Sequence, residues 1–154
     1  MLNMSVKPEE FELEKYLGTW HEQGSTPLWF SKDCKNSMAD YSIVKEGVVR
    51  VINTCTKPDG LDSAEGRAFA TDEPMRLKVG FFPKSFPIFR SDYKIRYLEK
   101  DEDGNYDKAI VTSGLDSVWI LTRENDIGEE GFRRMLRIAE DMDIDISEVQ
   151  RTRV

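Results

Sequence analysis

Between residues 16 and 123, apolar and polar side chains alternate with a period of two. They do so in eight runs of seven to ten residues: 16–25, 37–44, 48–55, 63–71, 75–82, 92–99, 107–113 and 117–123. Such alternation predicts strands that press one face into an apolar core. Lys45-Glu46-Gly47, Pro58-Asp59-Gly60, Asp72-Glu73-Pro74 and the stretch 101–105 separate neighbouring runs with turn chemistry, since Pro presets φ and Gly accepts positive φ. Pro83 and Pro87 make 82–87 a loop, because a central strand cannot spare two N–H donors. Eight strands with short connections favour an up-and-down antiparallel sheet, and closing it into a barrel removes both exposed edges. The period then changes to 3.6. Phe132, Met135, Leu136, Ala139 and Met142 mark one face of a helix over 129–142. Glu129 and Glu130 in its first turn, with Arg133, Arg134 and Arg137 beyond, suit the helix dipole. A short final strand is expected over 148–153. The expected fold is all-β: one domain over 1–154, an eight-stranded antiparallel up-and-down barrel with a C-terminal helix packed outside.

Alternation also assigns faces. The inward set holds Ala39, Tyr41 and Ile43; Val49, Val51 and Asn53; Ala64, Gly66, Ala68 and Ala70; Leu77, Val79 and Phe81; Tyr93, Ile95 and Tyr97; and Trp119, Leu121 and Arg123. Small residues on the fourth run leave volume unfilled, which favours a cavity; a fully packed barrel is the alternative. Val118 and Ile120 face outward and need the helix as cover. Trp20 is expected to plug the narrow end, with the Arg123 guanidinium stacked on it and donating to carbonyls near the first strand. An anion-anchoring role for Arg123 is the competing reading. An apolar cup carrying Tyr41, Asn53, Tyr93 and Tyr97 suits an amphiphile with its tail inside and its head at the mouth. Trp29 and Phe30, in the loop after the first run, either gate the mouth, touch a membrane surface or pack on the rim.

The net charge of −7 argues against a nucleic-acid partner, which needs clustered cations. Arg133, Arg134 and Arg137, and Arg151 with Arg153, have acidic neighbours and read as solvated faces. No run approaches the roughly 18 apolar residues of a membrane span, and residues 1–14 hold no apolar signal-peptide core. His21, Cys34 and Cys55 lack metal-ligand spacing, so no metal or other cofactor is expected.

Gly18-Thr19-Trp20 and Trp119-Ile120-Leu121-Thr122-Arg123 resemble the first and third motifs of the lipocalin family. Asp103-Gly104-Asn105-Tyr106 resembles a degenerate second motif, with Asp103 and Tyr106 fitting its bacterial version. The likeness runs over about residues 11–153, and is greatest to the bacterial outer-membrane (Blc-like) and apolipoprotein D branch. Tyr16–Trp20, Val51-Ile52-Asn53 and Ala64-Glu65-Gly66 carry it; His21, where that branch usually has Tyr, departs from it. The resemblance implies transport or storage of a small hydrophobic ligand, a fatty acid or lysophospholipid by preference. It also implies an extracytoplasmic location, unless Met1 is the native start, which would make the protein cytoplasmic.

The hairpin turn at Glu46-Gly47 returns Cys55 to the side of Cys34, so a cross-strand disulfide is the first reading and two free thiols the second. A free Cys34 is the one candidate nucleophile for an enzyme, since a few lipocalins isomerise a lipid peroxide with a cavity thiol. The lone histidine, His21, alternates outward, and no base is evident to activate a thiol. Glu22 is expected to point inward, satisfied by strand hydrogen bonds or by Arg123. The chain therefore reads as a carrier and not an enzyme, with a ligand-free protein-interaction barrel as a third class.

Overall fold

The computed structural model of the chain describes residues 4–27, 33–81, 90–114 and 117–152. Among them nine strands form: β1 (Gly18–Ser25), β2 (Lys35–Lys45), β3 (Val48–Lys57), β4 (Gly60–Ala70), β5 (Arg76–Phe81), β6 (Arg90–Lys100), β7 (Tyr106–Ser113), β8 (Val118–Thr122) and β9 (Gln150–Arg151). Helix α1 (Leu13–Tyr16) precedes β1, and helix α2 (Gly128–Asp141) follows β8. Consecutive strands from β1 to β8 pair antiparallel, and β8 pairs back to β1, so the eight close into a barrel. The first half of β1 bonds β2, Gly18 to Tyr41 through His21 to Met38. Its second half leaves that flank to β9, with Gly24 opposite Arg151 and Ser25 opposite Gln150.

The hairpins extend almost to their turns, as the turn residues require. Lys45 pairs with Val48 around Glu46-Gly47, and Lys57 pairs with Gly60 around Pro58-Asp59. Gly47 and Gly60 take φ of 76° and 127°, conformations that a Cβ would strain.

Four features depart from the alternation pattern. The first strand begins at Gly18 rather than at residue 16, because Leu13–Tyr16 make a helical turn and Gly18, at φ 100°, swings the chain into the sheet. A register shift between Ile95 and Tyr97 turns Tyr97 outward, against expectation, and brings Leu98 inward. Such a bulge inserts one unpaired residue and inverts the face of everything beyond it. Tyr97 instead donates to Glu99 at 2.7 Å, and burial pushes its phenol up to about 12. Glu99 also takes an ion pair from Arg134 of α2. The last strand shrinks from 148–153 to Gln150–Arg151, since only the end of β1 is free to receive it. Finally, the N-terminal arm forms an unforeseen strand-like contact. Val6 N–H donates to Leu98 O at 2.7 Å and Lys100 N–H to Met4 O at 2.9 Å. The arm thus lies along the closing stretch of β6, where the shorter β5 does not reach.

Two apolar clusters result. One lines the inside of the barrel and includes Trp20, Val49, Ala68, Leu98 and Val111. The other joins the outer faces of Ile110, Val118 and Ile120 to Phe132, Met135 and Ala139 of α2, the cover those strands require. Burying each large side chain there contributes roughly 1.5–3 kcal/mol. Gly24 lets α2 approach β1: a Cβ built on it would stand 2.4 Å from the Phe132 ring and 2.9 Å from Gln150 O. A register shift between Glu22 and Gly24 turns Gly24 toward α2 and leaves Gln23, already outward by alternation, without a partner in the β8 register and buried. Its amide donates to Thr122 Oγ1 and to the Glu124 and Asn125 carbonyls, and its oxygen accepts from Ile127 N–H and Arg151.

Candidate functional site

The barrel has two unlike ends. β1, β3, β5 and β7 start at one of them, the end that holds α1, Trp20 and Arg123, and it is sealed. Trp20 has no accessible surface, and its indole N–H donates to Tyr16 O at 2.8 Å. The Arg123 guanidinium sits 4.0 Å from the Trp20 ring centroid. It donates to Thr19 O at 2.9 Å, Lys15 O at 3.0 Å, Leu17 O at 2.8 Å and Tyr106 O at 3.2 Å. Those carbonyls belong to α1 (Lys15), the link after it (Leu17), β1 (Thr19) and β7 (Tyr106), so one planar fork pins three elements and a link together. Burial lowers the Arg123 pKa from its ordinary value.

Tyr106 is buried, stacks on Phe11 at 5.9 Å and accepts from Glu12 N–H at 2.9 Å, so it holds the plug from the β7 side. Asp103 is exposed in the preceding turn, where Asp101 organises the backbone by accepting from the N–H groups of Asp103 and Asn105. Gly18 carries the entry into β1, and a Cβ there would stand 3.3 Å from Arg123 Nη1.

Above the plug, inward side chains form the lumen wall. Ala39, Tyr41, Val51, Ala68, Leu77, Val79 and Ile95 are buried in the barrel cluster, with Tyr93 and Trp119 packed against it and partly exposed. Asn53, paired across the sheet with Ala39 and Ala64, is exposed on the open half, as is Ala64. Phe81 ends β5 with its backbone opposite Gly66. Trp29 and Phe30 lie outside the described residues.

One member of this interior escapes a reading by alternation. Tyr16, in α1, reaches up into the lumen, where its hydroxyl lies 2.5 Å from that of Tyr93. The Tyr93 hydroxyl lies 3.0 Å from that of Tyr41. β2 and β6 are four strands apart in a ring of eight, so Tyr41 and Tyr93 reach from opposite walls and meet in the middle. The signal for Tyr16 was its place just before Gly18, where alternation gives way to a short turn of helix.

At the open end, Cys34 is bonded to Cys55, with the Cα atoms 5.4 Å apart. The thiol that an enzyme would need is therefore consumed in a crosslink. His21 faces outward opposite Thr122, as alternation predicts. Glu22 stands opposite Leu121 on the inner face and accepts from Thr152 Oγ1 at 2.6 Å, not from Arg123. Burial raises its pKa above the ordinary carboxylate value, and hydrogen bonds from Thr152 and Ser25 partly oppose that. Among the described residues, no group of three or more His, Cys, Asp or Glu is placed to hold a metal ion. No described helix is long and apolar enough to cross a membrane. A second concavity, of about 700 Å3, lies outside the barrel between Lys94, Arg96 and the segment holding Asp143, Asp145 and Glu148. Its charged rim does not suit an apolar ligand.

A closed eight-stranded barrel, plugged by a tryptophan–arginine stack at one end and flanked by a helix, defines a cup-shaped binding protein. The chain belongs to the lipocalin family: the family model for the lipocalin-like domain matches residues 11–154. It is 32% identical over 157 residues to apolipoprotein D of Rattus norvegicus, covering 92% of this chain and 76% of that protein. It is 33% identical over 142 residues to outer membrane lipoprotein Blc of Escherichia coli (strain K12), covering 89% and 76%. Near-equal identities make the chain homologous to both kinds without assigning it to either. Among solved structures, insecticyanin from the tobacco hornworm Manduca sexta shares the fold at a TM-score of 0.71 and 16% identity, covering 100% of this chain and 85% of that one.

Proposed function

We propose that this lipocalin binds a small hydrophobic molecule in its barrel and carries or stores it, with no catalytic step. The observation that carries this reading is the asymmetry of the lumen. One end is sealed by Trp20 and Arg123, while inward residues of the other half, Asn53, Ala64 and Trp119, keep accessible surface. Ala39, Tyr41, Val51, Asn53, Ala68, Leu77, Val79, Phe81, Tyr93, Ile95 and Trp119 would form the ligand wall, and Trp29 and Phe30 the mouth. A fatty acid or lysophospholipid fits the mixture of apolar wall and a few polar groups. The disulfide and the homology to an outer membrane lipoprotein favour an extracytoplasmic location.

Tryptophan fluorescence tests the reading. Trp20 is enclosed in the plug, whereas Trp119 borders the lumen, so titration with dodecanoic acid, oleic acid or lysophosphatidylcholine should quench emission saturably. The quench should drop in Trp119→Phe and disappear in Trp29→Phe/Trp119→Phe. A flat response to all three in the wild-type protein would refute the carrier reading.

A further inference from the structure

The hydroxyls of Tyr16, Tyr93 and Tyr41 hold one more proton than the hydrogen bonds among the described residues use. They form two hydrogen bonds, Tyr16 to Tyr93 at 2.5 Å and Tyr93 to Tyr41 at 3.0 Å. A phenol donates once, so two bonds use two of three protons whichever way each one points. No other hydrogen bond reaches these three oxygens among the described residues. One buried O–H is left over, and buried donors are rarely left unmet. Burial also keeps all three phenols protonated: it pushes Tyr41 up to about 12, and Tyr16 and Tyr93 well above their ordinary value. When Tyr16 and Tyr41 both donate to Tyr93, the surplus proton is that of Tyr93. Tyr93 is also the one of the three that keeps accessible surface.

We propose that this tyrosine bridge across the lumen is a hydrogen-bonding anchor for the buried end of the ligand, selecting a hydrophobic molecule whose leading end carries a neutral oxygen acceptor: a ketone, ester or ether. The proposal rests on the carrier reading and narrows it: a fatty acid or lysophospholipid entering tail-first binds without this bond, and a ligand led by a neutral oxygen gains it. The surrounding wall of Val51, Ala68, Leu77 and Ile95 is apolar, so an acceptor has no competing donor there and a carboxylate would lose its hydration without return. Arg123, the nearest cation of the plug, already faces four carbonyls. An alkyl chain entering methyl-first would leave the proton unmet; a neutral oxygen entering first would accept it.

A matched pair of probes tests this. 2-Decanone and 2-methyl-1-decene have the same shape and differ in one acceptor oxygen. Each displaces N-phenyl-1-naphthylamine from the wild-type protein and from the triple variant Tyr16→Phe/Tyr41→Phe/Tyr93→Phe, which keeps all three rings and removes every hydroxyl of the bridge. The ketone-to-alkene affinity ratio should fall roughly three- to tenfold in the variant, the worth of one neutral hydrogen bond. Taking the ratio cancels the differing hydration of the two probes. An unchanged ratio would overturn the anchor and leave the carrier reading standing; failure of both probes and of the lipid titration would overturn both. Should the triple variant not fold, infrared spectroscopy of carbonyl-labelled 2-decanone in the wild-type protein decides. A carbonyl band below its frequency in hexane supports the anchor, and an unshifted band refutes it.

Discussion

Replacing Arg123 by methionine isolates what the guanidinium fork does at the sealed end. Methionine keeps an aliphatic stem over the Trp20 ring and removes every donor. Four carbonyls lose a partner, but not equally: those of Thr19 and Lys15 meet Arg123 in exposed hydrogen bonds, so water can replace it. The bonds to Leu17 and Tyr106 are partly buried, and each deserted oxygen costs about 1 kcal/mol or somewhat more. Losing the cation from the Trp20 face, 4.0 Å away, removes about 1 kcal/mol more. The expected destabilisation is therefore about 3–4 kcal/mol, read by urea denaturation at pH 7 as a lower midpoint with an unchanged slope. Arg123→Lys retains charge near the ring but has no planar fork, so it should recover less than half of the loss. Ligand affinity of the folded variant should stay within about twofold of wild type, because the guanidinium serves the plug and not the chamber. A loss below 1 kcal/mol for the methionine variant would refute the fork as the organiser of this end. Equal stability of the lysine and arginine proteins would show that charge alone matters.

Gly24→Ala should cost about 1–3 kcal/mol, visible as a lower thermal midpoint, because its Cβ would meet both the Phe132 ring and the Gln150 carbonyl. Replacing Cys34 and Cys55 together by serine opens a loop with a sequence separation of 21 and should destabilise by about 3 kcal/mol in the chain-entropy account, with ligand binding preserved. Glu22 has a folded-state pKa raised by burial, so the folded protein binds its proton more tightly than the unfolded chain does. Its favourable contribution is complete below the unfolded pKa and erodes as pH rises through the folded one. Glu22→Gln should therefore gain thermal stability relative to wild type between pH 4 and pH 7.5, and a gap that stays constant over that range would contradict the assignment.

The elements most visible in the sequence were those with a repeated physical demand. Alternation located every barrel strand, and the 3.6-residue stripe from Phe132 to Met142 located α2 and matched it to the outward Val118 and Ile120. The hairpin turn at Glu46-Gly47 was enough to bring Cys34 and Cys55 together. Single-residue events were not visible. The shifts near Gln23 and Arg96 each add one residue to one strand, and no side-chain pattern announces an unpaired backbone position. Hence alternation places Tyr97 on the wrong face, but Tyr93 and Ile95, before the bulge, on the right one. The four residues of α1 are too few to show helical periodicity, which hid Tyr16, and with it the link between plug and lumen. Which side chains share the lumen was thus largely legible; that two of them meet across it depended on three-dimensional reach.

The N-terminal arm has a consequence for the solubility of the barrel. β5 spans six residues and β6 eleven, so the ring would be open at the sealed end over the last stretch of β6. Met4 and Val6 occupy the hydrogen-bonding groups of Leu98 and Lys100 there. An unclaimed strand edge is a template for another chain, and a barrel resists aggregation only where its ring is complete. A segment with no place in the eight-strand pattern thereby covers an edge that would otherwise stand open to a neighbouring molecule.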